Sequence, residues 1–274
     1  MAKFGKSIIF ILVLLLILAI ITNTAIGSTS ISPFITAKIL LARYFFIEPI
    51  WTSSQEVIIT NIRLPRVLLG GFVGAALSTA GCAMQGLLKN PMADPYIIGM
   101  SSGAALGASL AFMLLMPVQI VAFIMAIITI FIVYNISVIG GKVPVNTLLL
   151  AGIAVGSFLA AITSLIIFLA QSPHQIIFWL MGGLWTANWD KVKITAILVT
   201  IGIVMLYRYS WKLKVMLLGE EEAQNLGVNV EHVKQYILVF SALITAAAVS
   251  VSGIIGFVGL IIPHIMRILV GPDH

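Results

Sequence analysis

The chain has 274 residues, of which 61% are hydrophobic and 9% charged, and its formal net charge is +6. Soluble domains carry about 25% charged residues, so this composition excludes a water-soluble fold and makes lipid the solvent for most of the chain. The basic residues fall between apolar runs rather than in a cluster, which argues for membrane faces and against a nucleic-acid surface.

A bilayer core of about 30 Å takes roughly 20 apolar residues per helix. Eight stretches meet or approach that demand: about 8–27, 63–88, 96–116, 119–139, 147–170, 191–207, 236–253 and 256–271. The first follows Lys3 and Lys6, as a signal peptide would. Its apolar run is longer than a usual signal core and no small-x-small cleavage site follows, so it is predicted to be a membrane helix. With the N-terminus inside, the inner face collects Lys3, Lys6, Lys89, Lys142, Arg208, Lys212, Lys214, Lys234 and Arg267. The outer face holds Lys38, Arg43, Arg63, Arg66, Lys191 and Lys193, a bias in the expected positive-inside direction. Trp179, Trp185 and Trp189 fall in one outer segment, and Tyr207, Tyr209 and Trp211 at one inner edge, as aromatic belts do.

Arg63 and Arg66 open the second stretch, three apart, with Pro65 between them. That spacing puts both guanidiniums on one side, where they could meet lipid headgroups or the carboxylates of an acidic partner outside. Cys82, the single cysteine, lies in the same stretch and is expected to be a small buried hydrophobe. Small residues recur four apart at Gly70 and Gly74, at Gly99, Gly103 and Gly107, and at Gly152 and Gly156. In lipid such faces mark close helix packing, and they predict a compact bundle.

The turn KNPMADP, 89–95, joins the second and third stretches. Asn90-Pro91 and Asp94-Pro95 each stop one helix and start the next. It reads either as a plain turn or as a rigid corner at the inner mouth of a pathway. Directly after it, Gly99-Met100-Ser101-Ser102-Gly103 matches G-x-S-x-G. A nucleophile elbow needs a preceding strand, and here Pro95 starts an apolar helix. Ser101 or Ser102 with His264 would make an intramembrane serine protease the rival reading, and a non-transporting membrane scaffold is a further one. No nucleotide loop, H-E-x-x-H or Cys/His cluster occurs, and all nine acidic residues lie in loops or at helix ends. A carrier driven by protons or sodium usually keeps an ionisable or broken-helix site at midplane, so any uphill transport would draw its energy from another subunit.

The longest inner connection, 212–235, holds Glu220, Glu221 and Glu222 side by side after Gly219. Acidic residues suit a helix N-terminus, Gly227 suits a left-handed C-terminal cap, and Asn229 can cap a second helix from Val230. The expected result is two short helices with a glycine corner, lying across the bilayer face.

Four blocks in order, RLPR with KNPMADPYIIGMSSGA, then LLLAGIAVG, then LLGEEEAQNLGV, then VSGIIGFVGLIIPHIMRILVGPDH, resemble the FecCD family of ABC-importer permeases from about residue 57 onward. The resemblance implies an all-α polytopic membrane protein of the type II ABC importer permease kind, a single transmembrane domain over 1–274 with about eight of the usual ten helices. Two more helices are expected beyond GPDH, from a partial sequence or a split gene. Ser78, Gly81 and Pro91 share their spacing with Ser250, Gly253 and Pro263, a trace of two related halves. The family implies import of a metal chelate (iron-siderophore, haem or cobalamin) through a homodimer in the cell membrane. Two cytoplasmic ATPases, which use ATP and Mg, and an extracytoplasmic binding protein would be its partners. The chain itself is expected to bind no cofactor, metal or nucleic acid and to have no catalytic residue. By matching position, the resemblance assigns Arg63 and Arg66 to binding-protein docking, and Glu220, Glu221, Glu222, Ala223, Leu226 and Gly227 to ATPase coupling, with Ala223 and Gly227 as the bearing surface. Asn90, Pro91, Asp94, Pro95, Val143, Pro144 and Asn146 would form an inner gate. Gly152, Gly156, Ser157 and Thr163 would line the pathway.

Overall fold

A computed structural model describes residues 2–42, 45–46 and 48–271, with side chains from residue 7 onward. The side chains of Lys3 and Lys6, all of Arg43, and the last three residues of GPDH lie outside the described residues. The fold is helical: α1 Ala2–Ala25, α2 Pro33–Ala42, α3 Ser53–Val57, a π-helical turn Ile58–Arg63, α4 Leu64–Leu87, a 3-10 turn Pro95–Ile98, α5 Met100–Met113, α6 Val118–Ser137, α7 Val145–Leu169, α8 Pro173–Leu180, α9 Trp189–Met216, α10 Glu220–Asn225, α11 Val230–Ser252 and α12 Val258–Val270. Six helical stretches are long and apolar enough to cross a membrane, and α5 and α12 are shorter apolar helices. The chain is thus a polytopic helical membrane protein.

Each of the eight predicted stretches contains a helix, with shifted ends. The 191–207 stretch runs on to Met216, because Tyr207–Lys214 remain helical beyond the apolar run. The 96–116 stretch breaks at Gly99, which sits at φ +83° and closes the 3-10 turn before opening α5. The helix expected to lie across the bilayer face from Val230 is instead the first part of α11, which continues to Ser252.

The described residues form two compact units. The first comprises residues up to Phe72 together with Leu184–Ile194. Its small core is Ile31, Ile39 and Ile59, backed by Ile35, Trp51 and Ile58. Thr52 and Gln55 form a reciprocal capping box at the start of α3. In the π turn, Leu64 N–H donates to Ile59 O rather than to Thr60 O. Pro65 has no N–H to take the next place in such a ladder, so the Thr60 carbonyl accepts from the Trp189 indole at 3.0 Å.

The second unit comprises Val73–Gly183 and Thr195 onward. Its centre is small: Ala104 and Ala108 of α5, Ala122 and Ala126 of α6, Ala246 and Val249 of α11. Glycines permit this closeness. A Cβ on Gly107 would fall 2.8 Å from Met125 Cβ, and one on Gly103 2.8 Å from Met125 O. Gly74 departs from the expectation, since open space lies beside it. Gly81 and Gly253, the matched pair of the two proposed halves, both sit where backbone approaches closely: Gly259 O for one and Trp179 O for the other.

Candidate functional site

The acidic elbow folds as its local chemistry dictates. Gly219, at φ +147°, lets the chain turn into α10, and the Glu222 carboxylate occupies the space a Cβ on Gly219 would take. α10 has six residues and ends in a Schellman arrangement: Val228 N–H donates to Ala223 O, and Gly227 N–H to Gln224 O, both at 2.9 Å. Gly227 supplies the left-handed residue at φ +80°. Asn229 then caps α11 by accepting from His232 N–H at 3.1 Å.

Ala223 is 0% exposed, packed under α10. It therefore cannot be part of a bearing surface, because the methyl is what the short helix uses to sit on its own chain. Glu221, Glu222, Leu226 and Gly227 are exposed and remain as the outward face.

Beneath the elbow lies a cluster that the sequence pattern does not assemble. Lys234, 4% exposed, donates to Glu220 Oε2 at 2.9 Å, Glu231 Oε1 at 3.1 Å and Val143 O at 3.1 Å. Glu231 reaches back with its other oxygen to accept from Val143 N–H at 2.9 Å. A buried ammonium needs this degree of satisfaction to be tolerated. The only sequence signal is the i, i+3 spacing of Glu231 and Lys234.

The KNPMADP corner is rigid. Asn90 N–H donates to Gln85 O and Lys89 N–H to Gly86 O, a second Schellman ending, with Lys89 itself left-handed at φ +50°. Asn90 Oδ1 accepts from Met92 N–H, and Asp94 Oδ1 from Tyr96 N–H, each at 2.9 Å, so both side chains hold the turn that their prolines start. Burial raises the Asp94 carboxyl above its ordinary range, with the Tyr96 amide pulling the other way. Asn90 and Pro91 are exposed, Asp94 is half-buried and Pro95 is buried. Within the predicted gate, Pro144 and Asn146 are exposed while the Val143 side chain is buried.

α7 packs its glycines on this corner. A Cβ on Gly152 would fall 2.7 Å from Ile98 Cα, and one on Gly156 3.5 Å from Gly99 Cα and Ser102 Oγ. Thr163 is buried too, donating to Leu159 O at 2.9 Å. Gly152, Gly156 and Thr163 thus serve packing within this chain, and of the four predicted pathway positions only Ser157 is exposed. Ala154, Ala161 and Ser164 share its exposed, small-residue face.

α12 meets the corner as well. The Pro95 ring lies against Gly259, and Tyr96 Oη donates to Ile255 O at 3.2 Å. Pro263 leaves Gly259 O without its intrahelical donor. Buried Gln85 donates there at 3.4 Å and to Leu260 O at 3.3 Å, while Arg267 donates to Gln85 Oε1. Neither Gln85 nor Arg267 stands out in the sequence as a site residue, because the orphaned carbonyl that recruits Gln85 is visible only once α12 is in place.

Arg63 and Arg66 part company. Arg63 is 7% exposed and donates to Thr24 O, Ala25 O and Thr29 O, closing the carbonyl end of α1. Its guanidinium is committed inward and does not share a docking face with Arg66. Arg66 is exposed and reaches Trp185 O at 3.3 Å.

For the protease reading, the G-x-S-x-G match forms a 3-10 turn and a helix start with no strand before it. Among the described residues no hydrogen bond joins Ser101 or Ser102 to His264, and no three His, Cys, Asp or Glu side chains gather as a metal site.

The profile of the FecCD transport family matches residues 14–274. A cobalamin import system permease protein of Halobacterium salinarum is 46% identical over 227 residues, covering 81% of this chain and 62% of that protein. The chain thus spans less than two thirds of that relative's length. A ferric citrate import system permease protein of Bacillus subtilis is 38% identical over 276 residues, 98% of this chain and 80% of the relative. A solved structure of a metal-chelate type ABC transporter in an inward-facing conformation superposes with a TM-score of 0.86 at 31% identity, covering 98% of this chain and 83% of that one.

Proposed function

This chain belongs to the FecCD transport family, and we propose that it serves as the membrane permease subunit of an ABC importer for a metal chelate. The observation that carries this reading is the close likeness, over nearly the whole chain, to a metal-chelate type transporter. The importer's relatives carry cargoes as different as cobalamin and ferric citrate by name. That breadth fits a pathway with few buried charges, in which a separate binding protein supplies the selectivity.

In this reading the N-terminus is cytoplasmic, following the basic-residue bias, and two copies enclose one pathway between them. Each copy offers its α10 elbow to a cytoplasmic ATPase, which uses ATP and Mg. The exposed Glu221, Glu222, Leu226 and Gly227 form the coupling face. The exposed Arg66, rather than Arg63, meets an acidic binding protein. ATP closes the motor subunits, the elbows move with them, and the exposed face of α7 switches from one side of the membrane to the other.

The test is uptake by the permease reconstituted in proteoliposomes with its ATPase and binding protein, offered radiolabelled cobalamin, ferric citrate and haem. ATP-dependent accumulation of one of the three is expected. Hydrolysis with no accumulation of any metal chelate would overturn the reading.

A further inference from the structure

We infer that Lys234 is a positioning residue for transport: its ammonium yokes α10 to the turn that starts α7, so that the two are displaced together. This rests on reading α10 as the element that meets the ATPase.

The geometry is a single node with three lines. One runs to Glu220, the first residue of α10; one to Glu231 on α11; one to the carbonyl of Val143. Glu231 completes the grip by accepting from the amide of the same Val143. Val143 is therefore held by both of its backbone polar groups, and its side chain is buried. A backbone held in that way cannot slide without breaking bonds at a site shielded from water, where replacement partners are scarce.

The connection from Val143 into α7 makes the grip consequential. Only Pro144 separates Val143 from the first residue of α7, and Pro144 is the N-cap, with Leu148 N–H donating to its carbonyl at 3.0 Å. The turn before Val143 is equally stiff. Ile139 and Lys142 exchange hydrogen bonds of 2.9 and 3.1 Å around Gly140 and Gly141, at φ +58° and +77°, the signature of a two-residue type I′ turn. There is little slack between the node and α7. α10, by contrast, is joined to α11 through the short Gly227–Asn229 corner and has an exposed outer face, so a partner could push it. Glu220 is 42% exposed and Lys234 4% exposed, which places the node between the pushed surface and the buried turn.

Displacing α10 alone would pull Glu220 off an ammonium that is itself 4% exposed, leaving a buried charge with one carboxylate fewer. Displacing α10, the Val143 turn and the start of α11, which carries Lys234 and Glu231, as one body keeps all three bonds. The ammonium thus favours joint motion, and coupling of this kind commonly amounts to a 5- to 150-fold effect.

The experiment measures cargo taken up per ATP hydrolysed by the reconstituted assembly, using whichever of radiolabelled cobalamin, ferric citrate or haem the wild-type assembly accumulates. Lys234→Met keeps most of the side-chain stem and removes the charge. Glu231→Ala frees the Val143 amide at a less buried position and leaves the outward face of α10 untouched. Each is expected to lower uptake per ATP by about fivefold or more. A merely structural loss would reduce the amount of assembly, and with it uptake and hydrolysis alike, without changing their ratio. If Lys234→Met does not reach the membrane, Glu231→Ala carries the same test. An unchanged ratio in a folded variant, with wild-type transport intact, overturns the yoke alone. Wild-type protein that supports hydrolysis but no uptake overturns the permease reading and the yoke with it.

Discussion

Arg63 and Arg66 stand three positions apart, yet one closes a helix and the other faces outward. Helical spacing alone puts them on one side, and that inference is sound for a regular helix. It fails because partners 34 to 39 residues away in sequence, at the end of α1, claim one guanidinium. Which carbonyls lack donors is a tertiary fact, and no local pattern encodes it. The consequence is a contrast between two alanine variants. Arg63→Ala leaves buried carbonyls of Thr24 and Ala25 without their charged donor and is expected to destabilise the protein by about 3 kcal/mol. Arg66→Ala removes one long bond from an exposed side chain and is expected to stay within about 0.5 kcal/mol of wild type. Unfolding in detergent micelles, compared side by side, checks both. Equal losses would return Arg63 to the surface role that its spacing suggests.

At the scale of elements, the elbow is the most legible part of the chain. Gly219, the glutamates, Gly227 and Asn229 act on neighbours within about six residues, so their caps can be read in order. The face that α10 presents is not legible, because Ala223 and Gly227 are both small and only packing decides which of them is hidden. The π turn before α4 is invisible for a related reason: its cause is the missing N–H of Pro65, and its stability rests on the distant Trp189. Gly227 gives a way to separate backbone from surface. No atom lies within 4 Å of a Cβ built there, and its φ of +80° strains any other residue. Gly227→Ala and Gly227→Phe should each cost about 1–2 kcal/mol of local stability through that strain, and the added Cβ meets nothing else in the chain. If this surface bears on an ATPase, Phe will lower uptake per ATP well below the Ala level. Equal values for the two variants would show that no partner packs against Gly227.

For the whole molecule, composition and apolar run length point to the class of solvent and to the eight apolar helical stretches, six long and two shorter, because both depend on sums over many residues. The face of α7 that would line a pathway depends on one rotation of one helix. The glycine spacing reads rightly as packing, and it is the resemblance that puts Gly152 and Gly156 on the pathway face. Gly152 and Gly156 are small so that the 97–102 corner can pack on them, whereas Ala154, Ser157, Ala161 and Ser164 form a small exposed stripe at spacings of three and four. An exposed stripe in a membrane protein faces lipid, another helix or water, and these differ in chemistry. A thiol reacts with a membrane-impermeant reagent only as a thiolate in water. With Cys82, the single cysteine, replaced by alanine, Ser157→Cys and Ala161→Cys are expected to react in the assembled transporter, at rates that change when ATP is added. Phe158→Cys and Leu165→Cys, which flank the stripe, are expected to react far more slowly, and buried Thr163→Cys least of all. Uniformly unreactive thiols at 157 and 161 would place the stripe against lipid or a dry helix contact, and the pathway would have to be sought on a different helix.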